Sequence, residues 1–350
     1  MFKPKYSLTD SIVHDLSSIA EAKNFIEKAK ILPSSVIKLQ RLAIIRMSQG
    51  STAIEGNILN TNQVEAILGR KKIDAPQRDI FEVKNYLAAL KYIEKIVHKN
   101  QKISSKTVLK IHHLVTQNTL NQNESGCFRT KPVYVVRHFL GLNKKIIYTA
   151  PQASKVPSLI EDLILWINQS DSNKIHPIVV AAIVHQEIAA IHPFVDGNGR
   201  TARAIATLIL YQKGYDFRRL FALEDYYNTN RQKYYESINC GEKYFSQKDL
   251  TNWISYFVTG FKEEIINIKT KIRQISIKTL SNQKQIFLDE NEQKIISFID
   301  QLGKANSNDI AKTLGIAKRT AQSKLLKLKK LGLIKQIGLG PATTYIIYSF

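Results

Sequence analysis

One stretch of this chain decides its fold: residues 191–203, which read IHPFVDGNGRTAR. An apolar helix is predicted to end at His192, because Pro193 pushes the residue before it out of the α-helical region. The Gly-Asn-Gly turn at 197–199 then leads into a new helix, since glycine permits left-handed backbone geometry and close approach. Successive N–H groups in such a turn form an anion site at a helix N-terminus, where the dipole favours phosphate. The sequence therefore predicts a phosphate-binding loop between two helices.

Four side chains around this loop carry chemistry. The ordinary pKa of a histidine lets His192, at the mouth of the loop, accept a proton near neutral pH. Asp196 is a natural Mg²⁺ ligand, because Mg²⁺ usually takes one or two carboxylates plus phosphate oxygens. Arg200 and Arg203 are three residues apart, which predicts that both guanidinium groups emerge on one helix face close to the loop. Together these residues indicate phosphate chemistry with a general base.

Helical periodicity dominates the first two-thirds of the chain. Proline and glycine are scarce, 9 and 15 in 350 residues, and apolar residues recur with a helical period, as in 80–93. Residues 178–190 are apolar on most sides, which predicts a helix buried in the centre of a bundle. Strand signals are few: 133–136 and 146–148 flank Gly141-Leu142-Asn143 and predict one hairpin. We therefore expect a mostly helical bundle with one short hairpin.

The C-terminal part of the chain has a different pattern. A Lys-rich helical connector gives way to helices predicted at 292–302, 310–314 and 319–331, and then to a two-stranded ribbon formed by 333–335 and 344–347. This order resembles a winged helix-turn-helix domain, whose third helix can lie on DNA. Six basic residues of that helix are candidates for phosphate contacts: Lys318, Arg319, Lys324, Lys327, Lys329 and Lys330. The base-reading candidates are Arg319, Thr320, Gln322 and Ser323. DNA binding and a protein-interaction role both stay open at this point.

Composition narrows the class of protein and of partner. The chain has 51 Lys+Arg and 29 Asp+Glu, a net charge of +22, which favours anionic partners, although an ordinary basic surface is the alternative reading. With 44% hydrophobic residues the chain is neither disordered nor collagen-like. Cys127 and Cys240 lie far apart and argue against a disulfide framework or a structural zinc site. The N-terminus lacks an apolar signal region, and the apolar run 178–184 is too short to span a membrane. We therefore expect a cytoplasmic protein that does not contact the membrane.

A resemblance to a known family sharpens these expectations. Residues 192–203 match the Fic motif, His-x-Phe-x-(Asp/Glu)-Gly-Asn-Gly-Arg-x-x-Arg, at every defined position, so the chain resembles the Fic family of protein adenylyltransferases. Residues 126–129 with the following hairpin look like the family's substrate flap, and Tyr234-Tyr235 look like its nucleotide-pocket segment. The resemblance implies a mostly α fold: a Fic-type helical bundle with a β-hairpin flap, followed by the winged helix-turn-helix domain. The expected divisions are an N-terminal helical region with an inhibitory helix at 1–105, a Fic catalytic core at 106–262, a helical linker at 263–284 and a winged-helix domain at 285–350.

The resemblance also implies an activity, the transfer of AMP from ATP to a Ser, Thr or Tyr hydroxyl of a protein. His192 would remove the hydroxyl proton, and Asp196 would hold Mg²⁺ across the α- and β-phosphates. The residues implied in ATP binding are Gly197, Asn198, Gly199, Arg200, Arg203 and Tyr234. Arg203 would face the γ-phosphate, and Tyr234 would lie against the adenine, with packing inside the bundle as its alternative. The flap residues implied in aligning a target segment are Val133, Tyr134, Val135 and Val136. The implied partners are ATP and an unidentified target protein, including the chain itself, and a homodimer is a further expectation.

A second motif predicts an internal brake. Glu55 lies at the C-terminal end of a mostly apolar helix, where the helix dipole disfavours a carboxylate, so a cationic partner is expected, unless water solvates the group. Ser51, Glu55 and Gly56 match every defined position of the Fic inhibitory motif, (Ser/Thr)-x-x-x-Glu-(Gly/Asn). The implied partner of Glu55 is Arg203, and their pairing would occupy the γ-phosphate site and turn ATP out of line.

Two alternatives to autoinhibited AMP transfer stay open. The chain could be a DNA-binding regulator in which the Fic core senses nucleotide. The same core could also remove AMP or transfer another nucleotide or phosphate group.

Overall fold

The computed structural model describes residues 2–29, 31, 33–138, 144–169, 174–246, 249–280, 288–338, 340 and 343–347. The chain divides into two compact units. The first unit comprises Met1–Ala29 and Gln40–Lys271, and the second comprises Lys30–Leu39 and Ile272–Phe350. This division does not test the boundaries expected at 105, 262 and 284, which stay predictions.

The first unit is a helical bundle with one hairpin. Its helices are α1 (Asp10–Lys28), α2 (Pro33–Ile54), α3 (Thr61–Leu68), α4 (Gln77–His98), α5 (Ser105–Thr116), α6 (Val156–Asn168), α7 (Pro177–Ile191), α8 (Asn198–Gln212), α9 (Leu223–Thr229), α10 (Arg231–Ile238) and α11 (Thr251–Leu280). The first turns of α2 and the last turns of α11 belong to the second unit. The mostly helical fold predicted from the sequence is confirmed.

Helices α7 and α8 form the centre of the bundle. All residues of α7 from Ile178 to Ile191 are buried except Ala189, as predicted for 178–190. Helix α7 ends because His192 takes a left-handed conformation, with φ 49° and ψ 58°, directly before Pro193. Helix α8 begins at Asn198, three residues before the predicted start at Thr201, because Gly197 supplies the left-handed N-cap. The loop between the two helices therefore runs directly into the first turn of α8.

The predicted hairpin is present beside the bundle. Strand β1 (Tyr134–His138) pairs antiparallel with β2 (Lys144–Thr149), and a bulge interrupts the register between Val135 and Val136. Strand β1 begins one residue after the predicted Val133. The turn expected at 141–143 lies outside the described residues.

The second unit contains three helices and a ribbon. They are α12 (Glu290–Leu302), α13 (Ser307–Leu314), α14 (Lys318–Lys330), β3 (Ile334–Ile337) and β4 (Thr344–Ile347). Strands β3 and β4 pair antiparallel, and Ala305 bridges to Tyr345 of β4. Ile299, Ile310 and Leu325 are fully buried in the core of this unit. Positions 281–284 of the predicted linker and 339 and 341 of the predicted ribbon turn lie outside the described residues.

Within the part of the chain that the structure describes, no helix is both long enough and apolar enough to cross a membrane.

Candidate active site

His192 closes helix α7 with its ring in a defined tautomer. Its backbone N–H donates to the carbonyl of Ile188 at 3.1 Å, and ring Nδ1 lies 3.2 Å from the carbonyl oxygen of Ala189. A carbonyl oxygen only accepts, so Nδ1 carries the proton and the lone pair of the neutral ring is on Nε2. Burial lowers the pKa of His192 below its ordinary 6.5. The ring is therefore neutral at physiological pH and offers Nε2 as a base.

The loop after His192 is held by its own side chains. The Asn198 amide accepts from the N–H of Phe194 and donates to its carbonyl, both at 2.9 Å. Phe194 is fully buried, and its ring stacks on His112 with the centroids 3.6 Å apart. Gly197 has φ +78°, and a Cβ there would lie 2.7 Å from Thr116 Cγ2. Position 197 therefore needs glycine both for its backbone angle and for its neighbour.

The start of α8 presents free backbone donors. Its first intrahelical hydrogen bond runs from Thr201 N to the Gly197 carbonyl at 3.0 Å. The amides of residues 198–200 precede this ladder, so they can donate to an anion, and the helix dipole favours such binding.

The two motif arginines contact different partners. Arg200 is buried, and its Nη2 lies 3.4 Å from Asp196 Oδ1. Arg203 is also buried, but its guanidinium contacts Ser51 and Glu55. The two guanidinium groups thus have different partners, and their emergence together on one helix face stays a prediction.

Arg203 joins α8 to the end of α2. Its Nε donates to Ser51 Oγ at 2.9 Å, and its Nη2 donates to the Ser51 carbonyl at 2.8 Å and to Glu55 Oε1 at 2.7 Å. The Arg203 side chain is 1% exposed and the Glu55 side chain is 30% exposed. A Cβ added to Gly199 would overlap Glu55 Oε1, so this carboxylate lies directly over the first turn of α8. Arg203 is the partner that the sequence analysis assigned to Glu55.

A Schellman turn fixes Glu55 at the end of α2. Gly56 has φ +99°, its N–H donates to the Ala53 carbonyl at 3.0 Å, and the N–H of Asn57 donates to the Thr52 carbonyl at 3.2 Å. Glycine takes this left-handed angle without the Cβ penalty of other residues. Gly56 therefore ends the helix sharply and leaves Glu55 as the C-cap residue directly after Ile54.

The two carboxylate oxygens of Asp196 differ in how strongly they are engaged. Oδ1 accepts from Gly197 N at 2.6 Å and faces Arg200, and Oδ2 lies 3.5 Å from Arg78 Nη2. Among the described residues no group of three or more His, Cys, Asp or Glu could hold a metal. Mg²⁺ delivered with a nucleotide needs only one or two carboxylates, since phosphates supply further oxygens. The 41% exposed Asp196 carboxylate fits a nucleotide-borne Mg²⁺ rather than a resident metal.

Tyr234 lies in an aromatic cluster. It is 2% exposed, its ring stacks on Tyr227 at 4.6 Å, and its hydroxyl lies 3.0 Å from His185 Nε2. These contacts favour the alternative of packing inside the bundle, and the adenine contact of Tyr234 stays a prediction. The next residue, Tyr235, is 46% exposed and donates to the Ile54 carbonyl at 3.0 Å.

Arg129 ties the hairpin to the loop, a role that sequence reasoning missed. This buried side chain donates to the carbonyls of His192 at 2.7 Å, of Lys131 at 2.9 Å and of Pro151 at 2.6 Å. Lys131 precedes β1 and Pro151 follows β2, so one guanidinium joins both roots of the hairpin to the residue that carries the base. The resemblance at 126–129 included this arginine, but its partners are distant in sequence.

His112 is a second missed residue. Its Nε2 donates to the Asp196 carbonyl at 2.9 Å, and its Nδ1 accepts from the N–H of Gly126 at 2.9 Å. Burial lowers the pKa of His112 to about 4, so the ring stays neutral in this bridging position. The sequence analysis predicted neither a helix at 105–116 nor a role for His112.

Comparison with known proteins matches this geometry to a family. The model of the Fic/DOC family matches residues 102–210. Residues 102–210 of this chain therefore resemble a Fic/DOC domain. Its sequence is 30% identical over 202 residues to the protein adenylyltransferase Fic of Drosophila mojavensis, covering 57% of this chain and 38% of that protein. It is 31% identical over 203 residues to the protein of the same name from Aedes aegypti, covering 57% and 36%. The chain thus spans less than two-fifths of the length of these two relatives.

Solved structures extend the similarity beyond the Fic domain. The chain resembles the crystal structure of a Fic family protein from Desulfovibrio desulfuricans, with a TM-score of 0.65 and 25% identity, over 99% of this chain and 98% of that one. It also shares the fold of Fic-1 (residues 134–508) from C. elegans, with a TM-score of 0.63 and 24% identity, over 75% and 73%.

Proposed function

We propose that this protein transfers AMP from ATP to a hydroxyl group of a protein. The observation that carries the proposal is the hydrogen bond from His192 Nδ1 to the Ala189 carbonyl, which leaves Nε2 as the base in the residue that precedes the turn into α8. The similarity to proteins named protein adenylyltransferase Fic supports it.

In this reaction His192 Nε2 accepts the proton of the target hydroxyl. The hydroxyl oxygen forms a bond to the α-phosphorus of ATP, and the bond from that phosphorus to the bridging oxygen of the β-phosphate breaks. Pyrophosphate leaves with that oxygen and its electron pair. The depressed pKa keeps Nε2 unprotonated at neutral pH, as a general base requires.

The start of α8 binds and orients ATP. The amides of residues 198–200 and the positive end of the helix dipole accept the phosphates. Asp196 would hold Mg²⁺, which would neutralise phosphate charge. Arg203 binds the γ-phosphate once Glu55 has released the arginine. Most of the catalysis comes from positioning the reactants and stabilising the phosphate charge.

The contact of Glu55 with Arg203 is the proposed brake. The carboxylate neutralises the arginine that the γ-phosphate needs, and it covers the first turn of α8 at Gly199. A triphosphate bound beside it is held with its α-phosphorus out of line with the attacking oxygen. The protein with Glu55 in place is therefore weakly active.

The hairpin is proposed to align the target. Among the described residues β1 pairs with β2 alone, so its outer edge can accept an extended peptide as an added strand. Arg129 fixes the two ends of the hairpin relative to His192. It thereby sets the distance between a peptide bound to β1 and the His192 base.

A labelling experiment tests this function. The Glu55→Gly variant is incubated with Mg²⁺ and each labelled nucleotide in a cell extract, and the labelled proteins are identified by mass spectrometry. We expect AMP on hydroxyl side chains and no label with the Glu55→Gly/His192→Ala variant. Removal of AMP from labelled protein, or preference for another nucleotide, would instead favour the alternative chemistries of this core.

DNA binding by the second unit is a second proposal. Residues at the start of α14 are exposed and polar or basic: Lys318, Arg319, Thr320, Gln322 and Ser323. Lys324 and Lys327 do not fit the expected phosphate contacts, because Asp289 and Glu292 of their own unit bind them at 2.5 Å and 2.9 Å. This surface is therefore smaller than the sequence suggested.

Fluorescence anisotropy with a labelled duplex at several salt concentrations tests this proposal. Each phosphate contact contributes a slope of about 0.9 in log K against log salt, so Lys318→Ala/Arg319→Ala is expected to reduce the slope by about 2. Lys304→Ala, an exposed lysine of the same unit outside α14, is the control. Equal slopes for the two variants, or no binding at low salt, would favour a protein-interaction role. The homodimer and the cytoplasmic location stay predictions.

A further inference from the structure

Arg78 is a cation at the candidate nucleotide site that comes from outside the Fic motif. It lies in the first turn of α4, with its Nη2 3.5 Å from Asp196 Oδ2 and its Nε 3.2 Å from Glu82 Oε1. Its side chain is 64% exposed, so it can change partners at little cost. No motif predicts this residue, and its contact with Asp196 spans 118 positions of sequence.

The two oxygens of Asp196 are not equally available to a metal. Oδ1 is engaged by the Gly197 N–H at 2.6 Å and faces Arg200. Arg200 cannot withdraw easily, because its side chain is 2% exposed and also lies 3.5 Å from Glu82 Oε1. Among the residues that the structure describes, Oδ2 contacts Arg78 alone. A cation that binds at Oδ2 therefore competes with Arg78 for Asp196.

The displaced guanidinium stays beside the site. Glu82 holds Arg78 Nε, and Glu82 is itself fixed, since it is 5% exposed and accepts a hydrogen bond from Asn57 at 2.9 Å. An arginine retained next to an entering polyphosphate binds it well, because its planar donors match phosphate oxygens.

We propose that Arg78 exchanges partners when nucleotide binds, leaving Asp196 to Mg²⁺ and binding the β-phosphate side of the nucleotide. The proposal rests on the function proposed above and adds a positioning residue to it. Arg78 thus holds Asp196 in place of the metal when the site is empty of nucleotide.

Nucleotide affinities measured by calorimetry test whether Arg78 binds the nucleotide phosphates. ADP is the main probe, because it lacks the γ-phosphate that Glu55 opposes at Arg203. Arg78→Gln is expected to weaken Mg²⁺–ADP binding about two- to five-fold, the size of an exposed charge contact, and to leave AMP binding unchanged. Arg78→Lys should recover part of the loss. Arg41→Gln is the matched control, since Arg41 makes a similar 3.5 Å contact with Glu65 on the surface of the same unit.

A double-variant cycle without metal tests the other half. Asp196→Asn should raise metal-free ADP affinity more in the wild-type background than in the Arg78→Gln background, because it frees Arg78 for the phosphates. An equal effect of Asp196→Asn on ADP affinity in the wild-type and Arg78→Gln backgrounds would overturn the exchange. So would an equal ADP affinity of the Arg78→Gln and Arg41→Gln variants. Nucleotide binding without AMP transfer by Glu55→Gly would reject the proposed function but not the exchange. A wild-type protein that binds no nucleotide would reject both.

Discussion

Replacing Glu55 by glycine removes the carboxylate that contacts Arg203. The contact is a charge-assisted hydrogen bond of 2.7 Å to an arginine that is 1% exposed. Such bonds contribute about 1.5–3 kcal/mol, and the 30% exposure of Glu55 reduces this through solvent screening to about 1–2 kcal/mol. Since 1.4 kcal/mol corresponds to a factor of ten, the fraction of molecules with Arg203 available should rise about 5- to 30-fold. ATP affinity and the rate of self-modification should rise by the same factor.

The assay combines initial rates of self-labelling by ATP carrying an α-phosphate label with calorimetric ATP affinities. Glu55→Gln should give a smaller increase, because its amide oxygen still accepts a hydrogen bond from Arg203. Glu65→Gln removes the same charge at the surface of α3 and should change neither quantity. Without ATP, Glu55→Gly should also melt at a lower temperature, since a buried arginine loses its carboxylate. A rate and an ATP affinity within two-fold of wild type would refute the brake, whatever the melting temperature.

Four further predictions concern the base, the loop and the hairpin. His192→Ala should abolish transfer and leave ATP affinity within about two-fold, because backbone amides hold the phosphates; a parallel loss of calorimetric affinity would contradict this. Burial lowers the pKa of His192, so the acid-side midpoint of the pH–rate profile should lie below pH 6.5; a midpoint above pH 6.5 would contradict this. In urea unfolding, Gly197→Ala should cost about 2–3 kcal/mol and Gly214→Ala about 1 kcal/mol. Both glycines have positive φ, but only at Gly197 would a Cβ meet Thr116, so equal losses would exclude the clash. Arg129→Lys should raise KM for a target peptide and leave ATP affinity unchanged, and the reverse pattern would reject its link to the hairpin.

The central helices and their loop could be predicted because their determinants are local. The apolar run before Pro193, the glycines of the loop and the alternation of the hairpin strands each act within a few residues. The Schellman turn at Gly56 is local in the same way and places Glu55 at the end of α2.

The parts that could not be predicted depend on distant partners. Arg129 donates to the carbonyl of His192, which lies 63 positions away in the sequence. Tyr234 packs on Tyr227 and His185, which single-sequence periodicity does not place around it. From the sequence alone, the lysines of α14 are candidates for phosphate binding. In the structure, Asp289 and Glu292 at the start of α12 pair with Lys324 and Lys327. The sequence thus shows which charged residues are present, but only the tertiary structure shows which groups each of them contacts.

The most direct test of the account is to measure whether the α-phosphate or the γ-phosphate of ATP stays on the protein. Glu55→Gly protein is incubated with ATP labelled at the α-phosphate or at the γ-phosphate, and the label retained on protein is measured by intact-mass spectrometry and gel analysis. We predict that the α-label is retained as AMP, that the γ-label is released with pyrophosphate, and that Glu55→Gly/His192→Ala retains neither. Retention of the γ-label, or equal α-labelling with and without the imidazole, would contradict the account.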